Sequence, residues 1–114
     1  MDTIVIYSLN GCGYSREAVK NLDSNDIKYK IYNIEWDNKE EYKIRNNMNT
    51  FPQIFYQDKY GKKIKIGGSD VLTELLDLIE NTKKNKNIDK MINEVKQKLK
   101  LDRKTTLKVI NLLK

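Results

Sequence analysis

Short alternating apolar runs and helical stripes take turns along this chain. Thr3–Ser8, rich in Ile, Val and Tyr, reads as a buried strand. From Tyr14 to about Ser24 the spacing of Ala18, Val19 and Leu22 suits a helix packed on a sheet. Ile27–Ile34 alternates, with Ile27, Tyr29, Ile31 and Asn33 on one face, and predicts a second strand. Asn38–Asn47 is charged and predicted helical, and Pro52–Gln57 predicts a third strand around Ile54, Phe55 and Tyr56. Asp58-Lys59-Tyr60-Gly61 is hairpin-turn chemistry, leading to a fourth strand at Lys62–Ile66. Gly67-Gly68 then breaks the chain. Ser69 or Asp70 can cap a helix with the stripe Val71, Leu72, Leu75, Leu76 and Ile79. The order β-α-β-α-β-β-α predicts an α/β protein with a four-stranded mixed sheet flanked by helices.

Beyond Glu80 the pattern changes. Asn81–Asn87 is polar and predicts a linker, after which Ile88, Met91, Ile92, Val95 and Leu99 recur at helical spacing. Asp102 can cap a last helix carrying Leu107, Ile110 and Leu113. Charge divides at the same place. Residues 81–114 hold 11 Lys+Arg against 3 Asp+Glu, residues 1–80 hold 11 against 13, and the net charge is +6. The expected organisation is therefore a main domain over 1–80 and a basic helical extension over 81–114. Lys83, Lys84, Lys86, Lys96, Lys98, Lys100, Arg103 and Lys104 could dock an acidic partner, or simply form a solvated face. No aromatic residue follows Tyr60, so the tail offers no base-stacking platform and nucleic acid is not the expected partner. Isolated helices of this length are marginal in water, so the apolar stripes are expected against the same domain or a second copy.

A 39% apolar, 33% charged composition with no bilayer-length apolar run and no leader-like start predicts a cytoplasmic protein without a membrane role. Histidine is absent, which removes His-based general-base catalysis, Cys–His nucleophile pairs and most zinc sites. Cysteine occurs once, so no internal disulfide can form. That cysteine, Cys12, lies in Asn10-Gly11-Cys12-Gly13-Tyr14-Ser15, between the first strand and the first helix. Unpaired N–H groups and the positive end of the helix dipole converge at such a place and stabilise a thiolate, the form that attacks disulfides and binds metal. Cys12 is thus the candidate catalytic residue.

Cys12-Gly13-Tyr14-Ser15 and the helix it opens resemble the active-site turn of glutaredoxins, above all the monothiol type with Cys-Gly-Phe-Ser. Thr50-Phe51-Pro52-Gln53-Ile54-Phe55 is similar to the strand that family opens with a cis-proline. Gly67-Gly68-Ser69-Asp70 is similar to its glycine pair followed by a small residue and an aspartate. The three occur in family order over about residues 3–80. The resemblance implies a thioredoxin-like fold and glutathione as the cofactor, held by Thr50, Phe51, Pro52, Gly68, Ser69 and Asp70. In that reading Phe51 offers its backbone to glutathione's cysteinyl unit. The helix N-terminus at Ser69 takes the γ-glutamyl carboxylate, and Asp70 takes its ammonium. Ser15 stands where dithiol members have a second cysteine, and Leu9 where many members have a lysine. Lys39 and Lys43 are candidate substitutes for that lysine toward the glycyl carboxylate.

Two activities follow from the resemblance. One is glutathione-dependent thiol–disulfide exchange on glutathionylated proteins, with Cys12 taking the glutathione and a second glutathione freeing it. The other is a carrier role, two chains each giving Cys12 and one glutathione thiol to a [2Fe–2S] cluster as a homodimer. A third expectation, of another class, is a non-catalytic interaction module that uses the basic tail.

Overall fold

From Ile4 onward every residue of the first strand, β1 (Thr3–Leu9), is buried in the computed structural model, which describes residues 1–114. The remaining elements are α1 (Gly13–Ser24), β2 (Tyr29–Ile34), a 3₁₀ turn (Trp36–Asn38) and α2 (Lys39–Asn46). They are followed by β3 (Gln53–Gln57), β4 (Lys63–Gly67), α3 (Ser69–Asn85), α4 (Ile88–Leu99) and α5 (Arg103–Leu113). The sheet order is β2-β1-β3-β4, with β1 parallel to β2 and antiparallel to β3, and β3 antiparallel to β4. This is a four-stranded mixed sheet, as the alternation of elements predicts, in the thioredoxin-like fold that the resemblance implies.

The period of two along a strand sorts β1 between two cores. Ile4 and Ile6 face the larger one, with Ile54 and Tyr56 of β3, Ala18 and Leu22 of α1, and Leu72, Leu75 and Ile79 of α3. Val5, Tyr7 and Leu9 face the other, with Phe55, Ile34, Met48 and Phe51. There Tyr7 stacks on Tyr32 at 5.0 Å between ring centroids and meets Phe55 edge-on at 5.7 Å. A strand buried on both faces needs an unbroken apolar run, which Ile4-Val5-Ile6 supplies.

Several details depart from the expectation. Ile31, expected on one face of the second strand with Ile27, Tyr29 and Asn33, is exposed on the edge strand β2, whereas Ile27 and Tyr29 reach the larger core. Residues 81–87 do not form a linker: α3 runs on to Asn85, and a left-handed residue, Lys86, closes it at φ 60°. Asn87 then caps α4 by accepting the Lys90 N–H, and Asp102 caps α5 by accepting the Thr105 N–H at 2.7 Å. In α5 the buried face is Thr106, Val109, Ile110 and Leu113, not the Leu107 side, and Leu107 stays partly exposed. Thr106 is buried without cost in orphaned groups because its hydroxyl donates to the Asp102 carbonyl.

The boundary expected after Glu80 therefore falls inside a helix. Met91, Ile92, Val95, Val109, Ile110 and Leu113 share one continuous core with β1, β3, α1 and α3. The apolar stripes of the tail pack on the same chain. The basic residues between them stay at the surface.

The turn out of β1 is held by short local bonds. The Leu9 N–H donates to Ser15 Oγ at 3.1 Å, and the Cys12 N–H donates to the Leu9 carbonyl at 3.1 Å. Gly11, at φ 83°, supplies the left-handed residue this turn needs. Ser15 is wholly buried, so the hydroxyl standing in the place of a second thiol is spent on the backbone that carries Cys12.

Two substitutions test these dependencies. Ile110→Ala, thirty residues past the expected domain boundary, should lower the stability of the whole protein by about 2–5 kcal/mol in a single urea transition. A separate early transition for the tail would contradict a shared core. Ser15→Ala should cost about 1–3 kcal/mol in the same measurement, because the buried Leu9 N–H loses its acceptor.

Candidate active site

Cys12 is the N-cap residue of α1, in extended conformation at φ −93° and ψ 120°. Its carbonyl accepts the Arg16 N–H at 3.2 Å, which starts the helix, and no side chain caps that end. The thiol is half-buried against the smaller core, and its sulfur lies 3.9 Å from the Phe51 carbonyl oxygen. The segment Thr50–Pro52 is thereby held against the cysteine. The Phe51–Pro52 peptide is cis, and both residues are buried.

The third wall comes from β4 and α3. Gly67 has φ 144°, and a Cβ there would sit 2.8 Å from Val71 Cγ2, so the strand can meet the helix this closely only as glycine. Gly68, not Ser69 or Asp70, is the N-cap of α3, and no side chain caps it. The first-turn N–H groups therefore have no side-chain acceptor of the protein's own, the arrangement that suits an anion. Ser69 is buried in the first turn, and Asp70 is exposed beside it. A Cβ on Gly68 would lie 3.7 Å from the Pro52 carbonyl oxygen, which measures how near the two segments come.

Together these segments enclose a groove of about 650 Å³ lined by Thr50, Phe51, Gly68, Ser69 and Asp70, and also by Tyr14, Glu17, Thr73 and Glu74. Five of the six residues expected around glutathione meet there, with Pro52 directly behind them. Cys12 is not itself in the lining but touches Phe51 at its edge. Lys39 and Lys43 are not brought to this groove. Lys39 Nζ sits 3.5 Å over the centre of the Trp36 ring, and Lys43 pairs with Glu40 at 3.2 Å. Both are engaged by local partners and neither lines the groove, so the position of the missing family lysine stays uncharged. Leu9 in that position is buried in the smaller core.

Sequence reasoning missed Tyr14, Glu17, Thr73 and Glu74. A signal for two of them was present: Asp70, Thr73 and Glu74 follow one another at i, i+3 and i+4, which puts them on one face of α3. Thr73 also donates its hydroxyl back to the Ser69 carbonyl at 3.0 Å. Glu74 is paired with Lys98, which reaches across from α4. The extension thus contributes the ion-pair partner of one groove carboxylate.

The glutaredoxin family model matches residues 4–60, half of the chain. No curated protein matches. Among solved structures, glutaredoxin 1 from Francisella tularensis, complexed with cacodylate, is similar at 27% identity and a TM-score of 0.57. That match covers 71% of this chain and 99% of the other. A buckwheat glutaredoxin–glutathione complex matches at 22% identity and a TM-score of 0.45, over 82% of this chain and 79% of the other. The matched segment carries the strand, turn and helix around Cys12 as well as the cis-proline strand that faces it. The chain belongs to the glutaredoxin family, whose chemistry is thiol redox exchange.

Proposed function

We propose that this protein is a monothiol glutaredoxin that exchanges glutathione with protein thiols through Cys12. The observation that carries the reading is the juxtaposition of one half-buried thiol, the Phe51 backbone and the uncapped N-terminus of α3 around a single groove. Glutathione is an extended tripeptide with a γ-glutamyl zwitterion at one end. Its cysteinyl unit suits the Phe51 backbone beside the thiol, and its γ-glutamyl carboxylate suits the N–H groups of Ser69 and Asp70. The Asp70 carboxylate suits the ammonium of the same unit.

In exchange, the Cys12 thiolate attacks the glutathione sulfur of a mixed disulfide. The protein's thiolate leaves and takes up a proton, and Cys12 is left joined to glutathione. A second glutathione thiolate then attacks the glutathione sulfur of that disulfide, releasing glutathione disulfide and the Cys12 thiolate. Ser15 cannot replace that second thiol, since its hydroxyl is buried and bound to the Leu9 N–H.

The single thiol also favours a second reading, a [2Fe–2S] carrier. No group of three or more His, Cys, Asp or Glu side chains in the chain could hold a metal. Cys12 would therefore supply one thiolate of four, with the others coming from a second copy and from two glutathiones. Exchange needs no donor beyond the thiol present and is the reading preferred here. Anaerobic incubation with iron, sulfide and glutathione separates the two: visible absorbance that depends on Cys12 would establish the carrier.

The expected kinetics are specific. Cys12→Ser should abolish reduction of a glutathione mixed disulfide altogether. Asp70→Ala should raise KM for glutathione about tenfold, the loss of one charge-assisted hydrogen bond, with the fold unchanged by circular dichroism. A KM equal to that of the unaltered protein would remove Asp70 from the site.

A further inference from the structure

The groove at Cys12 is acidic although the protein as a whole carries a net charge of +6. Glu17, Asp70 and Glu74 line it, and no lysine or arginine does. It also does not end at Glu74. The same side chain forms the wall of a second hollow between α3 and α4, of about 570 Å³, where Asp77 and Glu94 join it. Five of the chain's 16 acidic residues thus border two adjoining hollows, and their single cation, Lys98, is already engaged by Glu74.

Charge of one sign along a concave surface concentrates field and selects ligands of the other sign. Asp70 has a task in glutathione binding under the reading above. Glu17, Asp77 and Glu94 have none, and none of them takes part in an ion pair within the chain. Glutathione itself carries a net negative charge and gains nothing from them. The attraction must then be for the other half of the mixed disulfide, the peptide that carries the glutathione.

We propose that the trough running from Glu17 past Glu74 to Asp77 and Glu94 is a docking surface for the basic segment of a glutathionylated protein, and that it makes the enzyme selective for cysteines flanked by Lys or Arg. The inference rests on the glutathione reading of the Cys12 groove and adds the partner's chemistry to it. The two hollows meet at Glu74, so a chain entering at the thiol can continue along α3 toward α4. The steps are those of glutathione exchange given above, with the peptide thiolate as the first leaving group and free glutathione as the second reductant.

The test uses the full chain and two synthetic peptides, each with one glutathionylated cysteine, flanked in one by four lysines and in the other by four glutamates. The mixed disulfide of glutathione with 2-mercaptoethanol serves as a small uncharged reference. At low ionic strength kcat/KM for the lysine peptide should exceed that for the glutamate peptide by about tenfold or more, and the gap should close as salt is raised. The double variant Asp77→Asn, Glu94→Gln should narrow the gap several-fold while leaving the small reference unchanged. Equal rates for the two peptides, or a gap that the double variant leaves intact, would overturn the docking surface while turnover of the small reference upholds the glutathione reading. Failure to turn over any of the three would overturn both.

Discussion

Burial of β1 on both faces is the constraint on which the rest depends. A strand with Ile4 and Ile6 on one side and Val5, Tyr7 and Leu9 on the other can exist only if a layer covers each face. α1, α3 and the two C-terminal helices cover one; the aromatic cluster, with Met48 and Phe51, covers the other. Parallel pairing with β2 obliges the chain to cross over through α1, and that crossover starts three residues after the strand ends. Cys12 occupies the start of the crossover. Its position is a consequence of how β1 is packed.

The groove is built by the same logic from backbone more than from side chains. Leu9 and Ser15 fix the turn beneath the thiol, Phe51 presents its carbonyl to the sulfur, and Gly67 brings β4 close enough for α3 to point its N-terminus inward. Such a site offers N–H groups and one thiol, with specificity left to the residues around the rim. Here the rim is Tyr14, Glu17, Thr73 and Glu74, and Glu74 is paired with Lys98 of the C-terminal extension.

Unbroken apolar runs in β1 and β3 and the helical stripe of α3 made the sheet and its order of elements legible, because those strands are buried on both faces and α3 on one. The motif segments at Thr50–Phe55 and Gly67–Asp70 gave five of the nine groove residues, since a proline and glycines constrain backbone directly. What stayed hidden has physical causes. The helix past Glu80 reads as polar because Asn81–Asn85 extends the exposed end of α3, and a solvated helix turn has the composition of a linker. Lys39 and Lys43 looked available in sequence, yet Trp36 and Glu40 lie within a turn of them and claim both. Ile31 alternates correctly but sits on an edge strand, where Tyr29 on the same face reaches the larger core and Ile31 does not.

In the proposed function glutathione binds where Cys12, the Phe51 backbone and the N-terminus of α3 converge. Amide chemical-shift mapping of the Cys12→Ser protein titrated with glutathione tests it without any redox turnover. Saturable shifts are expected at the Phe51, Ser69 and Asp70 amides, with those of Lys39 and Lys43 still. Shifts that cluster elsewhere, or none at millimolar glutathione, would contradict it.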